Sequence, residues 1–134
     1  MIVKLELLDA SAKTVSQNLY WLGAESSSYR ELTRLAAAQL KMSVSESAVD
    51  GKGKVTVELT NPGTVVSLSN KLTLVSSKDK MRILPAYYSD NYISLLPGET
   101  RRIEIEYPAS AGKDGAEVML RGWNVVPQTV SARR

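Results

Sequence analysis

The sequence has neither cysteine nor histidine among its 134 residues. The absence of cysteine excludes disulfide bonds and thiol chemistry, and the absence of histidine removes both the commonest general base and the commonest metal ligand. No apolar run approaches the ~20 residues that a membrane-spanning helix requires. We therefore expect a chain that needs no cofactor and no metal and that has no membrane partner.

Nucleophilic and acid–base catalysis also lack their usual residues. Serine is plentiful, but no serine lies in a Gly-x-Ser-x-Gly motif, and no histidine could activate one. Residues 101–107 alternate as a strand does, which places Glu104 and Glu106 on the polar face beside Arg102. Both carboxylates should therefore be solvated and ionised. The sequence predicts that this chain alone is not an enzyme.

The positive charge is weak and dispersed. The net charge of +3 comes mostly from single Lys and Arg residues, with short basic runs at Arg101-Arg102 and Arg133-Arg134. Proteins that bind nucleic acid usually cluster such charge on one face and interleave aromatic residues. We therefore expect no nucleic-acid partner.

The first 24 residues have the pattern of a β-hairpin. Val3, Leu5 and Leu7 alternate with charged residues, and a second strand-like run covers residues 14–22 after a short polar stretch. We therefore predict a hairpin within residues 1–24.

Residues 25–40 have the pattern of a linker with one short helix. Apolar side chains recur at helical spacing from residue 29 to residue 40, and Glu31 follows Ser28 at the spacing of a capping box. We expect the helix to occupy residues 29–40.

From residue 41 onward the apolar residues alternate with a period of two. Asp50-Gly51 marks a turn, and residues 61–63 and 96–99 each place proline before glycine, as a type II turn prefers. About seven strand-like segments at short spacing predict an all-β fold, an immunoglobulin-like β-sandwich over residues 41–126. Residues 127–134 are left as a tail.

Aromatic and polar side chains concentrate in residues 87–92. Asp90 and Asn91 suit a turn between strands, and we favour that interpretation over a chemical role. The three tyrosines of this segment, together with Trp21 and Trp123, could form a platform on which a sugar ring stacks. We favour their use as core and interface anchors.

Three stretches of the chain resemble one known family. They are Ser89-Asp90-Asn91-Tyr92 with the Leu-Leu-Pro-Gly-Glu of residues 95–99, Gln17-Asn18-Leu19-Tyr20-Trp21-Leu22, and Arg121-Gly122-Trp123-Asn124. Together with the leucine-containing helix, they make nearly the whole chain similar to the C-terminal immunoglobulin-like domain of glycoside hydrolase family 2 enzymes, of the exo-β-D-glucosaminidase and β-mannosidase type.

The resemblance implies a role within a larger enzyme. In this family a catalytic (β/α) barrel precedes two immunoglobulin-like domains, so residues 1–24 would be the end of the first of these and the catalytic glutamates would lie outside this chain. It implies a non-catalytic accessory domain of a secreted or periplasmic β-glycosidase, whose partners are the preceding domains of the same polypeptide. Its sugar specificity would be set in the barrel.

Five residues are our candidates for contacts with the preceding domains or with the rim of the substrate cleft: Tyr88, Asp90, Asn91, Tyr92 and Trp123. Two alternatives stay open. The chain could be an independent carbohydrate-binding module that holds a β-linked oligosaccharide, or a structural or adhesion domain without a ligand. Burial of the aromatic side chains would favour structural roles, and exposure would favour sugar binding.

A hairpin that is separated from its domain is only marginally stable in water. We therefore expect it either to pack on the sandwich through Val3, Leu5, Leu7 and Trp21 or to self-associate with a second copy. The family usually has glycine where Ala12 stands, in a turn whose left-handed backbone suits glycine better than alanine.

Overall fold

The computed structural model describes residues 1–133, apart from the side chain of residue 49. The chain divides into two units, Met1–Leu35 and Ala36–Arg134. Within the described residues, no helix is long and apolar enough to span a membrane.

The first unit contains the predicted β-hairpin. Strand β1 spans Ile2–Leu8 and strand β2 spans Thr14–Trp21, and the two pair antiparallel with a bulge near the turn. Alternation places Val3, Leu5 and Leu7 on one face of β1, and the side chains of Leu5 and Leu7 are exposed. The hairpin is confirmed, and β1 contributes an apolar row to one of its faces, opposite Ser16, Asn18 and Tyr20 of β2.

The hairpin turn is built around one aspartate. Oδ1 of Asp9 accepts hydrogen bonds from the backbone N–H groups of Ser11 (2.8 Å) and Lys13 (2.9 Å). Ala12 has a φ of 60°, so the left-handed conformation expected at this position is confirmed.

The predicted linker helix is present but is shorter and tighter than expected. It is a 3-10 helix over Ser26–Arg34, and the chain becomes extended at Leu35 (φ −60°, ψ 132°). The N-terminal cap also differs, because the backbone N–H of Glu25 donates to Oγ of Ser28 at 3.3 Å. Glu31, expected in the cap, forms an ion pair with the last residue of the helix at 3.1 Å.

Residues 36–40, expected to be helical, are extended. The backbone N–H of Ala38 donates to the carbonyl oxygen of Asn124 at 2.6 Å, and Ala38 forms a parallel bridge with Val125. The side chains of Ala38 and Leu40 are buried in the core of the second unit. Tertiary burial therefore overrides the helical spacing of these residues.

The second unit is a sandwich of two antiparallel sheets. Within the described residues its strands are β3 (Lys41–Val49), β4 (Lys52–Thr60), β5 (Ser67–Ser76), β6 (Tyr87–Tyr88), β7 (Ile93–Leu95), β8 (Thr100–Pro108), β9 (Ala116–Arg121) and β10 (Gln128–Ser131). One sheet has the order β10-β9-β5-β7 and the other β3-β4-β8-β6. The predicted all-β immunoglobulin-like sandwich is confirmed.

The core lies between the inner faces of the sheets. Val55 lies opposite Ile105 and Val57 opposite Ile103 in the β4–β8 pair, and all four side chains are fully buried. Each contributes about 1.5–3 kcal/mol through removal of apolar surface from water. Tyr107 is also buried on this face, so the inward direction predicted for the apolar residues of 101–107 is confirmed.

The segment 127–134, expected as a tail, contributes to the sandwich. It contains β10, which pairs with β9, and then Arg133, whose N–H donates to the carbonyl of Val44 (3.2 Å) and whose carbonyl accepts from the N–H of Glu46 (2.8 Å). Val130 packs against the core. A four-residue strand with one inward apolar residue was too short to be recognised from its alternation.

Candidate functional site

Four of the five candidate residues lie in the connection between β5 and β7, and two of these have structural roles. Oη of Tyr88 accepts a hydrogen bond from the N–H of Leu74 at 2.8 Å. The side-chain amide of Asn91 accepts from the N–H of Leu72 at 2.8 Å and donates to its carbonyl at 3.0 Å. Tyr88 and Asn91 therefore satisfy backbone groups of β5 that would otherwise need a neighbouring strand.

Asp90 lies at an exposed bend beside them. Its Oδ1 accepts a hydrogen bond from the N–H of Asn91 at 2.8 Å, and its Oδ2 lies 3.4 Å from Nη1 of Arg101. An exposed ion pair at this distance contributes little stability. These contacts are those of the turn residue that the sequence favoured.

Tyr92 presents its ring to solvent from a constrained backbone. Its φ is 54°, a conformation that is uncommon outside glycine, and its N–H donates to Oδ1 of Asn91 at 2.9 Å. The side chain is 62% exposed. Nζ of Lys71 lies 5.4 Å from the ring centroid, within the range of a cation–π interaction.

Trp123 is also exposed, and its neighbours explain why its position is well defined. A Cβ on Gly122 would lie 2.9 Å from both Oδ1 of Asn70 and Cγ1 of Val125, so only glycine fits that close approach. The N–H of Trp123 donates to the carbonyl of Leu68 at 3.0 Å, while its side chain is 56% exposed.

Asn124, next in the chain, is a residue that sequence reasoning missed. Its buried amide accepts from the N–H of Leu68 (2.9 Å) and donates to the carbonyls of Val66 (2.8 Å) and Ala36 (3.0 Å). It thereby joins the end of the linker to the start of β5. An asparagine that follows Gly-Trp at the end of an apolar strand was the available signal, because buried amides must find partners.

Three further polar residues are buried without having been predicted: Asn61, Ser67 and Asn70. Nδ2 of Asn61 donates to the carbonyls of Val65 (2.8 Å) and Leu95 (3.1 Å), and Oγ of Ser67 donates to Oδ1 of Asn70 at 2.7 Å. The Asn-Pro-Gly sequence was interpreted as a turn, but its asparagine also links two strand ends.

Three of the aromatic residues expected to be core or interface anchors do not lie in the core. Tyr87 is 68% exposed, and Tyr92 and Trp123 are exposed to a similar extent. Exposed aromatic side chains are what sugar binding or an interface with another domain requires. Of the five candidates, Asp90, Tyr92 and Trp123 present side chains to solvent, whereas Tyr88 and Asn91 hold the segment in place.

Two carboxylates on the strands, Glu104 and Glu117, have a lowered pKa. The Nζ of Lys54 lies 2.7 Å from Glu104 and lowers the pKa of that carboxyl, chiefly through their hydrogen bond. Lys80, at 2.6 Å, does the same to the pKa of Glu117. Neither has the raised pKa of a general acid. Within residues 1–133, no group of three or more acidic side chains could hold a metal ion.

The fold and these contacts define an immunoglobulin-like β-sandwich domain that displays aromatic side chains from the connection before β7 and from the residues after β9. The sequence profile described as the exo-β-D-glucosaminidase Ig-fold domain matches residues 18–125. The chain therefore belongs to the family of immunoglobulin-fold domains of exo-β-D-glucosaminidases, which are glycoside hydrolases.

Several proteins are similar to this chain. The exo-β-D-glucosaminidase of Streptomyces avermitilis is 33% identical over 98% of this chain and 17% of that protein. The mannosylglycoprotein endo-β-mannosidase of Lilium longiflorum is 52% identical, but over 34% of this chain. The crystal structure of the Amycolatopsis orientalis exo-chitosanase CsxA superimposes with a TM-score of 0.89 at 27% identity, over 98% of this chain and 18% of that one. The chain spans less than a fifth of the length of these relatives.

Proposed function

We propose that this chain is a non-catalytic accessory domain of a β-glycosidase that hydrolyses O-glycosyl bonds, and that it packs against the preceding domains of the same polypeptide. The observation that carries the proposal is the family match over residues 18–125. The exo-β-D-glucosaminidase relatives favour β-glucosaminides as the substrate class of the parent, and the shorter match to a mannosidase makes β-mannosides the alternative.

The exposed residues Asp90, Tyr92 and Trp123 are our proposed contacts with the preceding domains or with the rim of the substrate cleft. Exposed aromatic side chains are enriched in such interfaces, and these two project from rigidly bonded backbone. Tyr88 and Asn91 contribute by holding the segment on β5.

Activity assays test the accessory role. The chain alone should not hydrolyse chromogenic β-D-glucosaminides or β-D-mannosides, whereas the full-length polypeptide that contains it should hydrolyse one of them. In that polypeptide, Tyr92→Ala and Trp123→Ala should make the junction before the sandwich more sensitive to limited proteolysis. Met81→Ala, at an exposed apolar side chain that is not one of the candidate residues, is the control. Turnover by the chain alone would overturn the proposal.

The exposure of Tyr87, Tyr92 and Trp123 supports a second candidate, an independent module that binds a β-linked oligosaccharide. Aromatic rings offer flat apolar faces on which sugar rings can stack. Calorimetric titration of the chain with chitosan, β-mannan and β-glucuronan oligosaccharides, which are basic, neutral and acidic, separates the candidates. Heat of binding without hydrolysis supports the module, and its absence leaves the accessory role.

We also propose that the apolar row of β1, formed by Val3, Leu5 and Leu7, is covered by the preceding domain in the parent and by a second copy in the isolated chain. Leu5 and Leu7 are both more than half exposed, and a bare hairpin is marginally stable. The chain should sediment as a dimer and the Leu5→Lys/Leu7→Lys variant as a monomer. A monomeric unsubstituted chain would contradict self-association.

A secreted or periplasmic location is proposed for the parent on the same family resemblance. Cell fractionation checks it, and recovery of the parent in the cytoplasmic fraction alone would contradict it.

A further inference from the structure

A shallow groove of about 210 Å³ lies in the second unit beside the middle of β5. Lys71 and Arg82 line it, together with the rings of Tyr88 and Tyr92, and no carboxylate lines it among the described residues. Arg121 lies directly opposite Lys71 on the neighbouring strand β9, which adds positive charge next to the groove. The electrostatic character of this site favours an anion and disfavours a cation.

A cation and an aromatic ring lie close together at one end of the groove. Lys71 Nζ lies 5.4 Å from the centroid of the Tyr92 ring, and the backbone N–H of Tyr92 is hydrogen-bonded to Asn91. Because the two groups are already near each other, a ligand that contacts both requires less reorganisation of the site.

An extended peptide cannot use this edge of β5 in the usual way. Strand addition needs free backbone groups, but both backbone groups of Leu72 are bonded to Asn91, the N–H of Leu74 is bonded to Tyr88, and its carbonyl accepts from the N–H of Ile83 at 3.1 Å. What remains available is side chains: an ammonium, a guanidinium and an aromatic ring. The volume is below the ~300–1,000 Å³ of sites for drug-sized ligands, which suits one sugar ring.

We propose that the groove binds a single acidic pyranose of a β-linked saccharide, with its carboxylate against Lys71 and Arg82 and its ring beside Tyr92. The proposal rests on the second candidate function, saccharide binding, and specifies the charge of the sugar. It predicts selection against amino sugars, because a glucosamine ammonium would meet two like charges.

Three β-1,4-linked tetrasaccharides with the same glucopyranose backbone test this: one of glucuronic acid, one of glucose and one of glucosamine. Each is titrated into the ¹⁵N-labelled chain while amide chemical shifts are recorded. The glucuronic acid tetramer should shift the amides of Lys71, Arg82 and Tyr92 and should bind more weakly as salt is raised. The glucosamine tetramer should leave these amides unchanged.

Substitutions then locate the charge and the ring. Lys71→Gln and Arg82→Gln should each weaken binding of the glucuronic acid tetramer about fivefold or more, since each removes a charge-assisted contact. Tyr92→Leu should weaken it similarly, and Tyr92→Phe should retain it. Lys113→Gln removes an exposed lysine that does not line the groove and should change nothing.

Four results would overturn the proposal. Two concern the glucuronic acid tetramer: no shift of these amides at about 10 mM, or shifts confined to other residues. The other two concern competitors: binding of the neutral or amino tetramer at the groove with equal affinity, or equal binding there of a tetraglutamate peptide. If no tetramer shifts the groove amides but one of them shifts the amides around Trp123, saccharide binding stands and this groove is removed from it. Failure of all three sugars would remove the second candidate function as well.

Discussion

At the scale of single residues, the side-chain amide of Asn124 is hydrogen-bonded to backbone groups of three other residues of the second unit, although the sequence analysis did not single it out. Asn124→Ala would leave the N–H of Leu68 and the carbonyls of Val66 and Ala36 without this partner. Because Asn124 is buried, we expect the free energy of unfolding to fall by about 1–3 kcal/mol. Urea denaturation followed by tryptophan fluorescence measures it.

The matched control is Gln39→Ala, at an exposed position just before β3 in the same unit, which should change the free energy of unfolding by less than about 0.5 kcal/mol. Equal effects of the two substitutions would show that the three bonds of Asn124 are not stabilising.

Glu117 should make the stability of the sandwich depend on acid. Its pKa lies below its usual value of 4.5, chiefly because of the hydrogen bond with Lys80. A carboxyl whose folded pKa is depressed contributes stability that is complete above the unfolded pKa and is lost as the pH falls through the folded pKa. Glu117→Gln should therefore lower the urea midpoint near neutral pH, and the difference should vanish in strong acid.

Glu58→Gln, at an exposed position of β4, is the control for that pH series. A difference between Glu117→Gln and the unsubstituted chain that stays constant from neutral pH to strong acid would rule out the ionised pair as its cause.

The alternating apolar residues were predictable one by one, whereas the buried polar residues were not. Ile103 and Ile105 point inward because alternate residues of a strand lie on the same face, and the apolar face of this strand covers the core. Asn124 is inward because backbone groups from the linker and from β5 meet there, and no local pattern encodes such a meeting. The exposure of Tyr92 depends on a left-handed backbone and on the amide of Asn91, which are likewise set by tertiary contacts.

At the scale of elements, the hairpin turn carries a removable strain. Ala12 has a left-handed φ of 60°, which costs a residue with a Cβ about 1–2 kcal/mol, whereas glycine adopts it freely. Allowing for the larger chain entropy that glycine loses, Ala12→Gly should stabilise the hairpin by about 0.5–1 kcal/mol. Hydrogen exchange of the β1 and β2 amides should slow by a corresponding few-fold factor.

Ala10→Gly provides the matched control, because Ala10 lies in the same turn without a positive φ. It should leave the hairpin unchanged or less stable. Faster exchange in Ala12→Gly than in the unsubstituted chain would contradict the strain.

The linker helix shows where element prediction stops. The helical spacing of residues 29–40 is real, but Ala38 and Leu40 are buried in the core of the second unit in extended conformation. The spacing of apolar residues indicates that they share a face. It does not indicate which part of the protein covers that face. Strand β10 was not predicted for a related reason: it has only one inward apolar residue, which is too few to form an alternating pattern.

At the scale of the whole second unit, residues 128–133 form hydrogen bonds with a strand of each sheet. Deletion of residues 127–134 would remove β10 from one sheet and the bonds of Arg133 with Val44 and Glu46 from the other. Loss of the packing of Val130 and of these hydrogen bonds should lower the free energy of unfolding by about 2–4 kcal/mol. Thermal unfolding followed by circular dichroism measures the loss.

Thr129→Ala changes an exposed side chain of β10 and should have little effect in the same measurement. A truncated chain that is as stable as the full one would show that residues 127–134 do not stabilise the sandwich.

The position of Arg133 has a consequence for how copies of the sandwich behave when crowded. β3 is the outer strand of its sheet, and the bare rim of an outer strand is a template on which foreign strands can grow into aggregates. Arg133 lies along that rim at Val44–Glu46. The backbone of Arg133 thus occupies hydrogen-bonding groups of β3 that a strand from another copy would otherwise use, and so protects this edge against misassembly.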